Sequence, residues 1–151
     1  ARACGIDIAE ASVARVGYTL RPEGPGPNTI PGAGEQGVSV NRGSSARIVG
    51  NKIESNKGSG VLVTRHSQAD VFGNAISGNG HDGIAASHNA GVNMTNEDKL
   101  FDLGPNHTDG KKNAGAGISG AVGGYVDGPL GTLAGGRGAK ELDGTCVDKL
   151  T

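Results

Sequence analysis

Arg42, Arg65 and His88 recur at intervals of 23 residues. Basic side chains at one fixed period could hold a row of carboxylates, such as those of uronate sugars. A guanidinium grips a carboxylate through two parallel N–H donors. A second set mixes acids and bases: Glu54, Lys57, His81 and Asp82, and further along Asp98, Asp102, His107 and Asp109. Such a mixture suits a saccharide, whose hydroxyls donate and accept. The carboxylates of 97–109 could hold calcium weakly, although they lack the EF-hand spacing. His81 beside Asp82 has the composition of a general base and its orienting carboxylate. Neighbours on a strand point to opposite faces, however, and only a turn could bring the two together. Exposed corners of many folds carry the same polar residues, so these sets gain meaning only from the elements that place them.

Other chemistry is excluded more firmly. His66, His81, His88 and His107 show no zinc-ligand spacing, so no metal site is assigned. There is no Gly-x-Ser-x-Gly, no P-loop and no dinucleotide fingerprint, so no cofactor is expected beyond that weak calcium possibility. A formal net charge of -1 on 151 residues gives no electrostatic footprint for nucleic acid. No apolar run approaches the ~20 residues of a membrane-spanning helix, and no signal peptide is visible. The aromatic residues are Tyr18, Phe72, Phe101 and Tyr125, which leaves little surface for stacking sugars.

The elements follow from the repeat. Shifted by 23, Gly37, Gly60 and Gly83 coincide, as do Val38, Val61 and Ile84, then Val40, Val63 and Ala86. Ala46, Ala69 and Val92 form another column, and Ile48, Val71 and Met94 a further one. Gly50-Asn51-x-Ile53-x-x-Asn56 returns as Gly73-Asn74-x-Ile76-x-x-Asn79. Apolar residues two apart are the strand period, and glycine, asparagine and serine bound each run as turn residues. One such unit cannot bury its inner face alone. Units stacked about 4.8 Å apart can, and asparagines at equivalent corners can bond amide to amide. The sequence therefore predicts an all-β solenoid of about five coils of about 23 residues.

The pattern resembles the right-handed parallel β-helix repeat family, with its pectate-lyase-like and NosD-like members. The clear match covers 37–96. The resemblance implies the fold and no single activity, because that fold carries lyases, epimerases, binding modules and spikes. The organisation expected over 1–151 is one domain: a first coil at 5–20, a loop at 21–36, regular coils at 37–96, a loop at 97–116, a last coil at 117–133 and a tail at 134–151 capping it.

Placing Leu20 in the Ile53 column makes both loops leave from one corner. They then wall a trough whose floor is the short corners 54–59 and 77–82. Glu54, Lys57, His81, Asp82, Asp102, His107 and Asp109 are the expected ligand-binding residues, with Arg42, Arg65 and His88 as a basic column; catalytic residues are not assigned. Cys4 and Cys146 are either idle thiols or one disulfide. Only four residues precede Gly5, too few to cover a coil. The chain is thus expected to be a piece of a longer protein or to associate with itself through terminal coils. The preferred function is a non-catalytic module binding or displaying carbohydrate in an extracellular or periplasmic setting. A fragment of a polysaccharide lyase or epimerase acting on acidic glycans is the first alternative, and a structural module of a surface or spike protein the second.

Overall fold

The short alternating runs form strands that pair only with their equivalents one repeat away. In the computed structural model, which describes residues 3–18, 27–97 and 103–151, three parallel sheets make the sides of a solenoid. Sheet A stacks β1 (Ile6–Ile8), β4 (Val38–Val40), β7 (Val61–Thr64), β10 (Ile84–Ser87), β12 (Ile118–Ala121) and β14 (Lys140–Leu142) in that order. Sheet B stacks β2 (Val13–Gly17), β5 (Ser45–Val49), β8 (Gln68–Phe72), β11 (Gly91–Asn93), β13 (Tyr125–Gly128) and β15 (Val147–Leu150). Sheet C holds β3 (Thr29–Pro31), β6 (Lys52–Glu54) and β9 (Ala75–Ser77), prolonged by single bridges to His107 and Thr132. This is the right-handed parallel β-solenoid expected.

The register matches the sequence columns. Val38 pairs with Val61 and Val61 with Ile84, while Ile48 pairs with Val71. Val61 and Val63 are both fully buried and so face the same side. The core is a stack of such columns: Ile6, Val38, Val61, Ile84 and Ile118 on sheet A, and Ile30, Ile53 and Ile76 on sheet C. At the corner between sheets C and A the glycine column is obligatory. A Cβ on Gly37 would come within 2.6 Å of the Gly60 carbonyl oxygen, and one on Gly60 within 2.7 Å of that of Gly83.

Two asparagine columns line the ends of sheet C. Asn28 donates to Asn51 Oδ1 at 3.1 Å, Asn51 to Asn74 at 3.1 Å and Asn74 to Asn106 at 3.0 Å. Asn56 donates to Asn79 and Asn79 to Asn113, both at 2.9 Å. Each buried amide also bonds backbone groups, as Asn74 does with the Ile48 carbonyl at 2.9 Å. Among the described residues no buried side-chain nitrogen or oxygen lacks a partner, so the ladder satisfies the corners it builds.

Three expectations need correcting. Sheets A and B each have six strands, so the stack is six coils rather than about five. The tail does not fold over the last coil: β14 and β15 pair in parallel with β12 and β13 and add a coil. The 21–36 segment is not all loop, because Ile30 pairs with Ile53 and takes the column assigned to Leu20. Leu20 itself lies outside the described residues, as does Leu100. The reason is the ladder. Asn28 and Asn106 must meet Asn51 and Asn74, so extra residues are expelled before the asparagine rather than after the isoleucine.

Candidate functional site

Two depressions among the described residues lie on the outer face of sheet A. Its alternate residues point inward to the core, and those between them form an outward row: Asp7, Ser39, Leu62, Ala85, Ser119 and Glu141, paired in that order. Most of these are small or short. Ser39 and Ala85 are only 6% and 9% exposed although they point away from the core. The face is therefore concave, with corner side chains standing above its floor. One hollow of about 420 Å³ spans the first four coils, and one of about 380 Å³ spans the last three. Ser87 lines both, so the two hollows adjoin along this face.

The wall at the corner between sheets A and B has an unusual backbone. Arg42, Arg65 and His88 sit at φ of 54°, 55° and 54°, and each precedes a second residue of positive φ. Cross-rung bonds align them: Gly43 N donates to the Arg65 carbonyl at 3.0 Å, and His66 N to that of His88 at 3.1 Å. The three basic residues thus share one corner position, but they are not equivalent. Arg42 Nη1 meets Glu10 Oε1 at 2.7 Å. Arg65 has no ion pair among the described residues. Thr64 Oγ1 lies 3.0 Å from Ser87 Oγ and 3.4 Å from His88 Nδ1, and Ser87 Oγ is 3.2 Å from that nitrogen.

The opposite wall lies at the corner between sheets C and A. Asp82 accepts from Ala116 N at 2.7 Å and from the Ser119 hydroxyl at 2.8 Å, with Arg137 Nη2 at 3.4 Å. It does the work that Gln36 does two coils earlier, where Oε1 accepts from Ser59 N at 2.6 Å. Arg137 Nε also meets Glu141 at 2.9 Å. Hydrogen bonds from the Thr145 hydroxyl and amide hold Asp143 down to about 2. At the other end, burial pushes the Cys4 thiol up, and the charges of Asp7 and Glu35 add to this.

The trough expected from the sequence is divided by this geometry. The extra residues of the first coil fall between Gly17 and Asn28, and those of the fourth between Asn93 and Asn106, both at the corner between sheets B and C. Lys57, His81 and Asp82 lie at the next corner, between sheets C and A. Glu54 is in β6, paired with Lys52 at 3.1 Å. His107 and Asp109 are exposed on the third side of the fourth coil. Asp98 and Asp102 lie outside the described residues. His81 is exposed, while Asp82 turns to the groove wall and bonds Ser119 there. Among the described residues, no three His, Cys, Asp or Glu side chains gather where a metal could sit.

Of the expected residues, then, the groove collects Arg42, Arg65, His88 and Asp82. Sequence reasoning missed its floor. The strand period marks Ser39, Leu62, Ala85 and Ser119 as outward, but nothing in it reveals which of three outer faces is concave. Cys4 and Cys146 are free thiols belonging to the first and last coils. A family model described as a right handed beta helix region matches residues 3–99. Comparison with curated proteins and with solved structures gave no match.

Proposed function

We infer that this chain, which belongs to the right-handed β-helix family, is a non-catalytic module that binds an extended saccharide along the outer face of sheet A. The observation that carries this reading is the pair of adjoining hollows that together run along all six coils. At about 4.8 Å per coil its floor is roughly 24 Å long, which suits a linear polymer better than a compact metabolite. Its lining alternates hydroxyls, carboxylates and cations with small apolar patches at Leu62 and Ala85. Polyols need that combination of polar contacts and apolar surface. The packed column of Val38, Val61, Ile84 and Ile118 beneath keeps the lining preorganised, which lowers the entropic cost of binding. Such a polymer is met outside the cytoplasm, and an extracellular or periplasmic setting is proposed on that ground alone. The free thiols lend it no support.

The test is a titration of the protein against a panel of soluble neutral and acidic polysaccharides by calorimetry. Ala85→Trp would fill the groove where its halves meet, and Ser45→Trp would place the same bulk on sheet B. Binding that is lost in the first variant and kept in the second is the expected outcome. Equal binding by both variants, with each folded, would reject the groove as the site.

A further inference from the structure

We propose, resting on the groove reading above, that Arg65, His88, Thr64 and Ser87 form one anion-binding subsite that takes a carboxylate or sulfate substituent of the bound saccharide. The first argument is charge. The three basic residues of this wall differ, because Arg42 is already neutralised by Glu10 at 2.7 Å. Arg65, one coil on, has no ion pair among the described residues, and its side chain lines the groove. The second argument is the donor set. The Thr64 and Ser87 hydroxyls and the His88 ring lie within 3.0–3.4 Å of one another, and all three residues line the same hollow as Arg65. A planar fork with hydroxyl donors at its side is the chemistry of an oxyanion site. Glu35 and Asp7 lie further along the same hollow and would repel a second anion there, so one subsite is expected rather than a row.

The backbone supplies a third, independent argument. In five successive coils this corner position has positive φ, and its occupants are Glu10, Arg42, Arg65, His88 and Val122. A residue with a Cβ pays roughly 1–2 kcal/mol there, which glycine avoids. The following position does use glycine in two coils, at Gly43 and Gly123. Side chains retained against that strain at Arg65 and His88 stand where a rigid backbone presents them to the groove.

The experiment measures binding of the full chain to a polyuronate, to the same polymer methyl-esterified, to a neutral glucan and to its sulfated form. The acidic polymers should bind at least tenfold more tightly than their neutral counterparts. Arg65→Gln should remove about tenfold of that affinity, the scale of one charge-assisted hydrogen bond. Arg65→Lys should restore part of it, and Arg15→Gln on sheet B should change nothing. Circular dichroism checks folding; should Arg65→Gln not fold, Thr64→Val with Ser87→Ala replaces it, with the same loss expected. Equal affinity for neutral and acidic polymers overturns the subsite and leaves the groove reading intact. Failure to bind any polymer removes both. Inorganic sulfate is titrated separately: saturation by sulfate as tight as by the polymers would mean a free-anion site and overturn the saccharide-borne one.

Discussion

At the residue scale the solenoid corners hold several non-glycine residues at positive φ, and Val122 is the β-branched one among them. This β-branched residue sits at φ 49° and is half exposed, a combination that sterics strongly disfavour. Val122→Gly should therefore stabilise the protein. The left-handed penalty of about 1–2 kcal/mol exceeds the roughly 0.5–1 kcal/mol of extra chain entropy that glycine loses, leaving about 0.5–1 kcal/mol. Urea unfolding would show the midpoint rising, and a fall would mean that the valine side chain makes contacts worth more than the strain. A second residue-scale effect concerns pH. Asp143 is held at about 2 against an ordinary 3.8 by the Thr145 hydroxyl and amide, and Asp148 is lowered by its bond from Lys140. A carboxyl depressed in the folded state contributes stability above its unfolded value and loses it as pH falls through the folded one. The sixth coil should hence loosen between about pH 4 and 2 while earlier coils persist. Amide exchange in β14 and β15, compared with β7 and β8, would detect this; simultaneous loss of protection in all four strands would contradict it.

At the element scale the asparagine corner governs where the chain can vary. Asn74 accepts from Asn51 N at 2.8 Å and donates to Ile48, Phe72 and Asn106 oxygens. Asn74→Ala would strand several buried partners at once, and each unsatisfied group costs about 1–3 kcal/mol. The expected loss is at least ~3 kcal/mol in urea unfolding, far above that of Asn28→Ala, whose residue is exposed. A loss below 1 kcal/mol would show that the neighbours find other partners. The same corner explains what was legible in the sequence. Columns such as Val38–Val61–Ile84 and Ile48–Val71–Met94 were readable because a period of 23 holds from Gly37 to Met94, and apolar side chains two apart must share a face. Asn51 and Asn74 were readable as a ladder for the same reason. Ile30 was misplaced because an insertion breaks the period, and only the hydrogen bond from Asn28 to Asn51 restores the register across it. The groove was less legible still. Arg65 and His88 stood out by spacing, but the concavity of sheet A depends on corner angles and on the depth of Ser39 and Ala85, which no one-dimensional pattern records.

At the scale of the whole molecule the two outermost coils differ in kind. In the first coil the inner columns are apolar: Ile6, Ile8, Ala14, Val16 and Ile30. In the sixth, Lys140 takes the position of Ile118 and Asp148 that of Val126. Their charged groups meet at 2.6 Å, with side chains 47% and 38% exposed. An ion pair across the inner columns opposes the stacking of another coil on this face, since that coil would have to desolvate both charges. Natural sheets use inward charges against edge-to-edge association in the same way. Replacing both, as Lys140→Ile with Asp148→Val, continues two apolar columns to the surface and removes that barrier. The pair is partly solvated, so losing it should cost under about 1 kcal/mol of stability, and the variant should fold. Its association is where the change should appear. Sedimentation velocity over a concentration series should show the double variant forming dimers or larger species at concentrations where the parent chain does not. Lys140→Gln with Asp148→Asn, which removes the charge but keeps the polarity, should associate less. If the apolar variant sediments as the parent does at every concentration, the charges at the sixth coil are not what keeps that face from pairing.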